Sequence, residues 1–214
     1  MPSLTALFHL LSLYHDTWIE GPRRAFKASQ EEFWQRMVAF AESSPDVCQR
    51  WHASGHFTGS GLVTDPTMTQ VLLIHHKKLG KWLQLGGHAD GNPSLNEVAL
   101  RECEEESGLK HLAFACELRG SDSPIPFDLD IHRIPTRKGE PEHLHYDVRF
   151  LLVADPREPL LLSEESNDLA WFSIADARSL TDEASMQRQF DKLEGLRELS
   201  PGQHCGKRPE PRLL

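Results

Sequence analysis

The sequence of 214 residues is poor in several features that define whole classes of protein. It has four cysteines, which lie far apart and form no CxxC pair: Cys48, Cys103, Cys116 and Cys205. Neither a disulfide framework nor a zinc knuckle is therefore expected. Lysine and arginine total 23 against 32 acidic residues, which gives a net charge of −9. Because binding to a nucleic-acid duplex needs a basic patch, we expect no such partner.

The chain also lacks any apolar run of the roughly 20 residues that a membrane span requires, so no membrane partner is expected. Its N-terminal stretch "LTALFHLLSLYHD" is apolar, but it has neither the basic start nor the small-residue cleavage site of a secretory signal. The hydrophobic fraction of 39% and the charged fraction of 26% are those of an ordinary globular protein. Together with reduced thiols, these features predict a cytoplasmic protein. A homodimer is one candidate assembly.

Apolar periodicity predicts helices first and then a sheet. Residues 3–15 place leucines and Tyr14 at helical spacing, a second helix begins at Ser29, and a short helical piece is expected at 47–51. Further helices are predicted at 95–107 and within 182–198. The predicted strands cover residues 57–63, 70–75, 82–84, 112–118, 127–134, 146–153 and 168–173. We therefore predict an α+β protein, a mixed sheet sandwiched between helices, with an N-terminal helical extension (1–54), a main domain (55–200) and a flexible tail (201–214).

The most informative stretch is "LQLGGHADGNPSLNEVALRECEEESGL", residues 83–109. Ser94 and Glu97 form a capping box that begins a helix, and Gly108 supplies the left-handed residue that ends it. Glu102, Glu105 and Glu106 then stand at positions i, i+3 and i+4, so the three carboxylates share one face. Like charges at this spacing destabilise a helix unless a cation bridges them, and Mg²⁺ or Mn²⁺ prefers such oxygen ligands. A solvated acidic face is the alternative interpretation.

With its preceding glycine loop, this stretch resembles the Nudix box of the Nudix hydrolase family. The box matches at Gly87 and then at the following positions: Arg101, Glu102, Cys103, Glu105, Glu106, Gly108 and Leu109. One position departs from the pattern, because Pro93 stands where the family has a glutamate; Asp90 and Asn92 lie nearby. Cys103 occupies an apolar position of the box, so we interpret it as a buried hydrophobic residue.

The resemblance implies a metal-dependent hydrolase that cleaves a diphosphate linkage in a nucleoside diphosphate derivative or a related small molecule. Glu102, Glu105 and Glu106, with the Gly87 carbonyl, would hold Mg²⁺ or Mn²⁺, and Arg101 would position a carboxylate. The general base is left open between the box glutamates and an outside pair, Glu164 and Glu165. A nucleotide-binding or regulatory domain without activity is the alternative. Isomerisation of an isoprenoid diphosphate is disfavoured, because neither Cys103 nor Cys116 is suited to be the nucleophile.

A second polar constellation lies in "PFDLDIHRIP" and "EHLHYDVRF". Asp128, Asp130 and His132 alternate along one predicted strand, and the next strand alternates in the same way with His143, His145, Asp147 and Arg149. If the strands pair, they form a surface that could bind phosphate or sugar, and a zinc site from His132, His143 and His145 is conceivable. A solvent-exposed polar face is the alternative. The candidate substrate-binding residues are Trp82, His132, His143, His145 and Arg149, with Trp82 near enough to the glycine loop to line a pocket.

Overall fold

The computed structural model describes residues 3–21, 23, 27–136, 141–163 and 166–199. The helices are α1 (Thr5–Tyr14), α2 (Lys27–Ser43), α3 (Leu95–Ser107), α4 (Ile174–Ser179) and α5 (Ala184–Leu199). The strands are β1 (Gly55–Thr64), β2 (Gln70–His76), β3 (Lys81–Leu83), β4 (Leu85–His88), β5 (Ala113–Phe114), β6 (Asp128–Ile134), β7 (His143–Val153) and β8 (Ser166–Ser173). The predicted tail lies outside the described residues.

The eight strands form one sheet in the order β3-β2-β1-β7-β5, with β4 paired to β1, β6 to β7 and β8 to β2. The predicted α+β class, with its N-terminal helical part, is confirmed. Among the described residues, no helix is both long and apolar enough to cross a bilayer.

Several local predictions differ from the structure. The strand predicted at 112–118 contains only β5, which the chain leaves for a 3₁₀ turn at Cys116–Leu118. Residues 47–51 form turns and not the expected helical piece. Three further elements were not predicted: β4, α4 and the π-helical turn His15–Ile19 that extends α1. Each of these elements is short, so propensity and periodicity have few residues on which to act.

Contacts divide the chain into two compact units. The first comprises the described residues up to Gly61, together with Gly86–Glu102 and Leu118–Phe150. Its core begins with the buried face of α1, where Leu7, Leu10 and Tyr14 are at most 1% exposed. In α2, the Phe40 ring stacks on that of Tyr146 in β7 at 3.9 Å between centroids. The predicted apolar face of α1 is thus a core face of this unit.

The second unit comprises Leu62–Leu85, Cys103–Glu117 and the described residues from Leu151 onward. Here β2 lies between β3 and β8, and it pairs antiparallel with both. Its residues Val71–Ile74 are buried, so both faces of this strand are covered. From α5, the fully buried Met186, Phe190 and Leu193 complete this core.

Candidate active site

The predicted box helix is present with its predicted bounds. The Ser94 carbonyl accepts hydrogen bonds from the N–H groups of Glu97 and Val98, which places Ser94 at the N-cap. The Asn92 side chain completes this start, since its Oδ1 accepts from Ser94 N–H at 2.9 Å and its Nδ2 donates to Glu97 at 3.3 Å. Gly108 has φ +72°, the left-handed conformation expected at the C-terminal end. The half-buried Pro93 precedes the cap.

One face of α3 is apolar and docks on the first unit. Val98 and Ala99 are fully buried. A Cβ at Gly59 in β1 would lie 2.6 Å from the Leu95 carbonyl oxygen, so the absence of a side chain there allows the helix backbone to approach the strand. Cys103 is also fully buried, as predicted for the apolar box position.

The loop glycine Gly87 lies directly against the box helix. A Cβ at this position would overlap the carboxyl carbon and both carboxylate oxygens of Glu102. On the other side of that carboxylate, Arg101 Nη2 lies 2.8 Å from Glu102 Oε1 and donates at 3.4 Å to the His88 carbonyl oxygen. The Glu102 carboxylate is therefore positioned between the glycine loop and a guanidinium.

Glu105 and Glu106 follow Glu102 on the next turn of α3, three and four residues along the helix. Glu105 is exposed and Glu106 is half-buried. Helical geometry places residues at these spacings on one face, as the sequence predicted. The outside candidates Glu164 and Glu165 lie outside the described residues.

The two histidine- and aspartate-bearing strands form the expected antiparallel pair, with Asp128 opposite Arg149 and His132 opposite His145. Arg149 is only 2% exposed. Its guanidinium donates to Asp147 at 2.7 Å, to Asp130 at 3.1 Å and to Asp128 at 3.4 Å. Burial alone would lower the pKa of Arg149, but the three carboxylates outweigh it and raise that pKa above its usual range. Arg149 thus organises a buried network of carboxylates.

Hydroxyl groups and an imidazole complete this network. Thr58 and Ser60 of β1 donate to Asp147 Oδ1 at 2.9 and 2.7 Å. His132 Nδ1 lies 3.1 Å from Asp130 Oδ2. The glycine loop touches the same group, because a Cβ at Gly86 would lie 2.6 Å from the Ser60 Cα. The carboxylates of the hairpin are therefore fixed from β1, β6 and β7.

Histidines of four strands, β1, β4, β6 and β7, form a cluster beside this network. The His56 ring of β1 lies 4.7 Å from that of His145 and 5.1 Å from those of His143 and His88, between centroids. His132 lies 5.3 Å from His145. One ring nitrogen each of His56, His143 and His145 lies within 4.8 Å of the other two. Among the described residues, this is the one group of histidine, cysteine or acidic side chains at a spacing that could hold a metal ion.

Burial and mutual repulsion keep two of these imidazoles neutral. Burial, followed by the charges of neighbouring histidines, lowers the pKa of His56 to about 3 and that of His145 to about 2. His56 is 1% exposed, and within the described structure neither of its ring nitrogens has a hydrogen-bond partner. His145 Nε2 is likewise buried without one. Buried nitrogens of this kind need a partner from outside the protein, such as a water molecule or an ion.

Sequence reasoning found His132, His143 and His145 but missed His56 and His88. Both missed residues stand alone in their segments, and only the pairing of β1 with β4 and β7 brings them to the hairpin histidines. A usable signal was present, since His56 is the second residue of β1 and His88 directly follows the box glycine. The remaining candidate, Trp82, is half-buried, with its ring 4.9 Å from that of Phe172 in an edge-on arrangement.

Known proteins are similar to this chain over about two thirds of its length. The family model of the NUDIX domain matches residues 56–193. A C. elegans Ap4A hydrolase, solved as a binary complex, is 17% identical with a TM-score of 0.53, over 67% of this chain and 98% of its own. A NUDIX-family hydrolase from Clostridium perfringens is 26% identical with a TM-score of 0.46, over 66% of this chain and 97% of its own. The E. coli dihydroneopterin triphosphate pyrophosphohydrolase is 13% identical with a TM-score of 0.48, over 67% of this chain and 96% of its own. Because the family model matches more than half of its residues, the chain belongs to the Nudix hydrolase family, as its box predicted.

Proposed function

We propose that this protein hydrolyses a diphosphate linkage in a nucleoside diphosphate derivative or a related small molecule, with Mg²⁺ or Mn²⁺ as cofactor. The observation that carries the proposal is the box helix, whose Glu102 carboxylate lies against Gly87 and whose Glu105 and Glu106 follow on the same helical face.

These residues fit a hard divalent cation. The donor set is three carboxylates with the Gly87 carbonyl, all oxygen ligands of the kind that Mg²⁺ and Mn²⁺ prefer. Gly87 has no side chain, so its backbone and the Glu102 carboxylate stand at close range. When bound, the ion would offset the charge of the diphosphate and lower the pKa of a water ligand. A chain with net charge −9 needs such an offset before it can bind a polyanion.

The side chains themselves have distinct roles in this proposal. Arg101 orients Glu102 through their ion pair at 2.8 Å. Proton abstraction from water falls to a box glutamate, with Glu105 the first candidate, or to Glu164 or Glu165. Arg149, as a buried residue, supports the substrate surface by fixing three aspartates.

The proposed substrate-facing residues of the first unit are His132, His143 and His145, and Trp82 of the second unit is a separate candidate. The three histidines are half-buried and stand on paired strands, so they present ring edges from a rigid support. Trp82 is half-buried as well, and an indole offers a face on which a base or sugar can stack.

The test is phosphate release from a panel of diphosphate compounds with Mg²⁺, with Mn²⁺ and with chelator. The panel includes nucleoside diphosphate sugars, nucleoside triphosphates and, because a relative of the same fold is an Ap4A hydrolase, dinucleoside tetraphosphates. We expect at least one compound to be cleaved with metal and none to be cleaved with chelator.

Two variants of the box helix sharpen this test. Glu105→Gln should lower kcat on the order of 100-fold or more, the usual contribution of a ligand or base at the reacting centre. The matched control, Glu104→Gln, removes the same charge from the same helix at an exposed position where the box pattern specifies no residue, and it should change kcat less than twofold. Equal kcat values for the wild type and both variants would overturn the assignment of Glu105 to the active site. Calorimetric binding of a panel compound without turnover would support the regulatory-domain alternative instead.

A further inference from the structure

We propose that His56, His143 and His145 form a binding site for a divalent transition-metal ion of the zinc type, separate from the carboxylate face of the box helix. The proposal does not rest on diphosphate hydrolysis, because it follows from the imidazoles alone.

The ligand atoms have the required type and spacing. Imidazole nitrogens favour Zn²⁺, Co²⁺ and Ni²⁺ over Mg²⁺, and no carboxylate belongs to this group. The nitrogens lie within 4.8 Å of one another. Three nitrogens on a tetrahedral Zn²⁺ stand about 3.4 Å apart, so side-chain rotations that bring the nitrogens closer by at most about 1.4 Å would complete the geometry.

The site is prepared by the strands that carry it. His143 and His145 are two residues apart on β7, so their side chains leave the same face of the sheet. His143 Nδ1 lies 2.9 Å from the Pro141 carbonyl oxygen, which can accept only from a protonated nitrogen. That bond leaves Nε2 as the metal-binding lone pair, the arrangement found behind most metal-ligating histidines. The sequence-based suggestion used His132 in place of His56, but the residues whose ligand nitrogens lie within 4.8 Å of one another are His56, His143 and His145.

The surroundings of the rings also favour a bound metal ion. The ring nitrogens of His56 and the Nε2 of His145 are buried without hydrogen-bond partners within the described structure, and a coordinated ion would satisfy one nitrogen on each ring.

The fourth coordination position has space beside it. A cavity of about 370 Å³ is bounded by His56 and His143 of the site and by surrounding residues that include Arg50, Trp51, His52 and Pro141. Three protein ligands with an open position are the pattern of catalytic and ligand-binding zinc sites, whereas structural sites are closed by four ligands. The open position would take water or an anionic group of a ligand in the cavity, near the positive charge of Arg50.

The experiment is a titration of untagged, chelator-treated protein with Co²⁺ alone, in excess Mg²⁺ to occupy the box carboxylates. We expect one Co²⁺ per chain, with the strong visible absorption bands of low-coordinate cobalt, and displacement by Zn²⁺. His143→Gln should weaken Co²⁺ binding at least about 100-fold, since loss of a mere outer hydrogen-bond partner already costs 10–100-fold. His143 is half-buried, whereas His56 is buried, so the fold should tolerate a substitution at His143 better than one at His56.

Two matched controls separate this site from other metal ligands. His111→Gln removes a histidine whose side chain is 72% exposed, and Glu105→Gln removes a box carboxylate; both should leave the cobalt spectrum unchanged. Bands that survive His143→Gln, or that vanish with Glu105→Gln, would overturn the proposal. If His143→Gln does not fold, the melting temperature of the wild type decides, because an ion that binds the native site must raise it and an unchanged value excludes the site.

Discussion

Gly87 and Glu102 show how the absence of one side chain positions a functional group. The Glu102 carboxylate occupies the space in which a Cβ of residue 87 would stand, while Arg101 holds it from the other side. Both residues were predicted as site residues from the resemblance to the Nudix box, but their contact could not be predicted from the sequence. Their separation by 15 positions is bridged only by the loop and the first turns of α3.

We therefore expect Gly87→Ala to lower activity about 100-fold, the cost of misplacing a catalytic group by roughly 1 Å. The added methyl group must displace the Glu102 carboxylate, so the affinity for Mg²⁺ should fall as well. Turnover of the best panel substrate and Mg²⁺ calorimetry measure both effects. Gly80→Asn is the control, since Gly80 has φ +63° with no atom within 4 Å of a Cβ position. An active Gly87→Ala enzyme with normal Mg²⁺ affinity would contradict the assigned contact.

Arg149 provides a second prediction for a single residue. It is the shared cation of Asp128, Asp130 and Asp147, and all four side chains are at most 10% exposed. Arg149→Leu leaves these carboxylates without their cation, so we expect a loss of about 3–5 kcal/mol of unfolding free energy. Arg133→Leu removes an exposed arginine paired to Glu142 at 3.4 Å and should cost less than about 1 kcal/mol. Urea denaturation measures the unfolding free energy of both variants. Equal losses would show that the buried network stabilises the fold no more than the exposed ion pair does.

At the scale of elements, the sequence was most informative where several signals coincide. Helix α3 was predicted with its observed bounds, because its N-cap, its apolar face and its terminal Gly108 agree. The predicted strand at 112–118 failed for a reason that no local pattern contains. Strand β7 pairs with β6 over His143–Arg149, and its pairing with β5 is confined to Leu152 and Val153 near its end. His56 stayed unnoticed for the same reason, since strand order is a property of the whole sheet.

The turn between β1 and β2 carries a prediction for an element. Asp65 accepts hydrogen bonds from the N–H groups of Thr69 and Gln70 at 2.7 Å each and from that of Thr67 at 3.0 Å. Burial alone would raise the pKa of Asp65, but the hydrogen bonds from Thr67, Gln70 and Thr69 outweigh it and lower that pKa below 3.8. The charged carboxylate therefore stabilises the turn, in which Met68 adopts a φ of 54°.

Because its pKa is lower in the folded than in the unfolded chain, Asp65 stabilises the fold fully above its unfolded pKa. That contribution is lost as the pH falls through 3.8 towards the folded value. Asp65→Asn should lower the unfolding free energy at pH 7 by about 1.5–3 kcal/mol, the range for hydrogen bonds to a charged group, and should flatten the pH dependence in the acid range. Chemical denaturation from pH 7 to pH 3 measures both. Asp182→Asn, at an exposed position, is the control, and an identical acid profile for the two variants would refute the assignment.

At the scale of the whole molecule, the two compact units are built from shared elements. Strands β1, β4 and β7 and helix α3 each contribute residues to both units. The chain also enters each unit several times, so neither unit is a continuous segment that could be excised. A strand or helix that belongs to two units cannot remain ordered for only half of its length without leaving backbone groups unpaired.

We therefore expect a single cooperative unfolding transition, despite two clusters of contacts. Amide hydrogen exchange tests this directly, with the β6 amides reporting on the first unit and the β8 amides on the second. Arg149→Leu perturbs the first unit, and Leu193→Ala, at a fully buried position of α5, should destabilise the second by about 2–5 kcal/mol. Each variant should lower the opening free energy of the most protected amides in both strands by the same amount. If Leu193→Ala weakened protection in β8 but left β6 unchanged, the units would unfold independently, and the shared elements would have to break at the boundary between them.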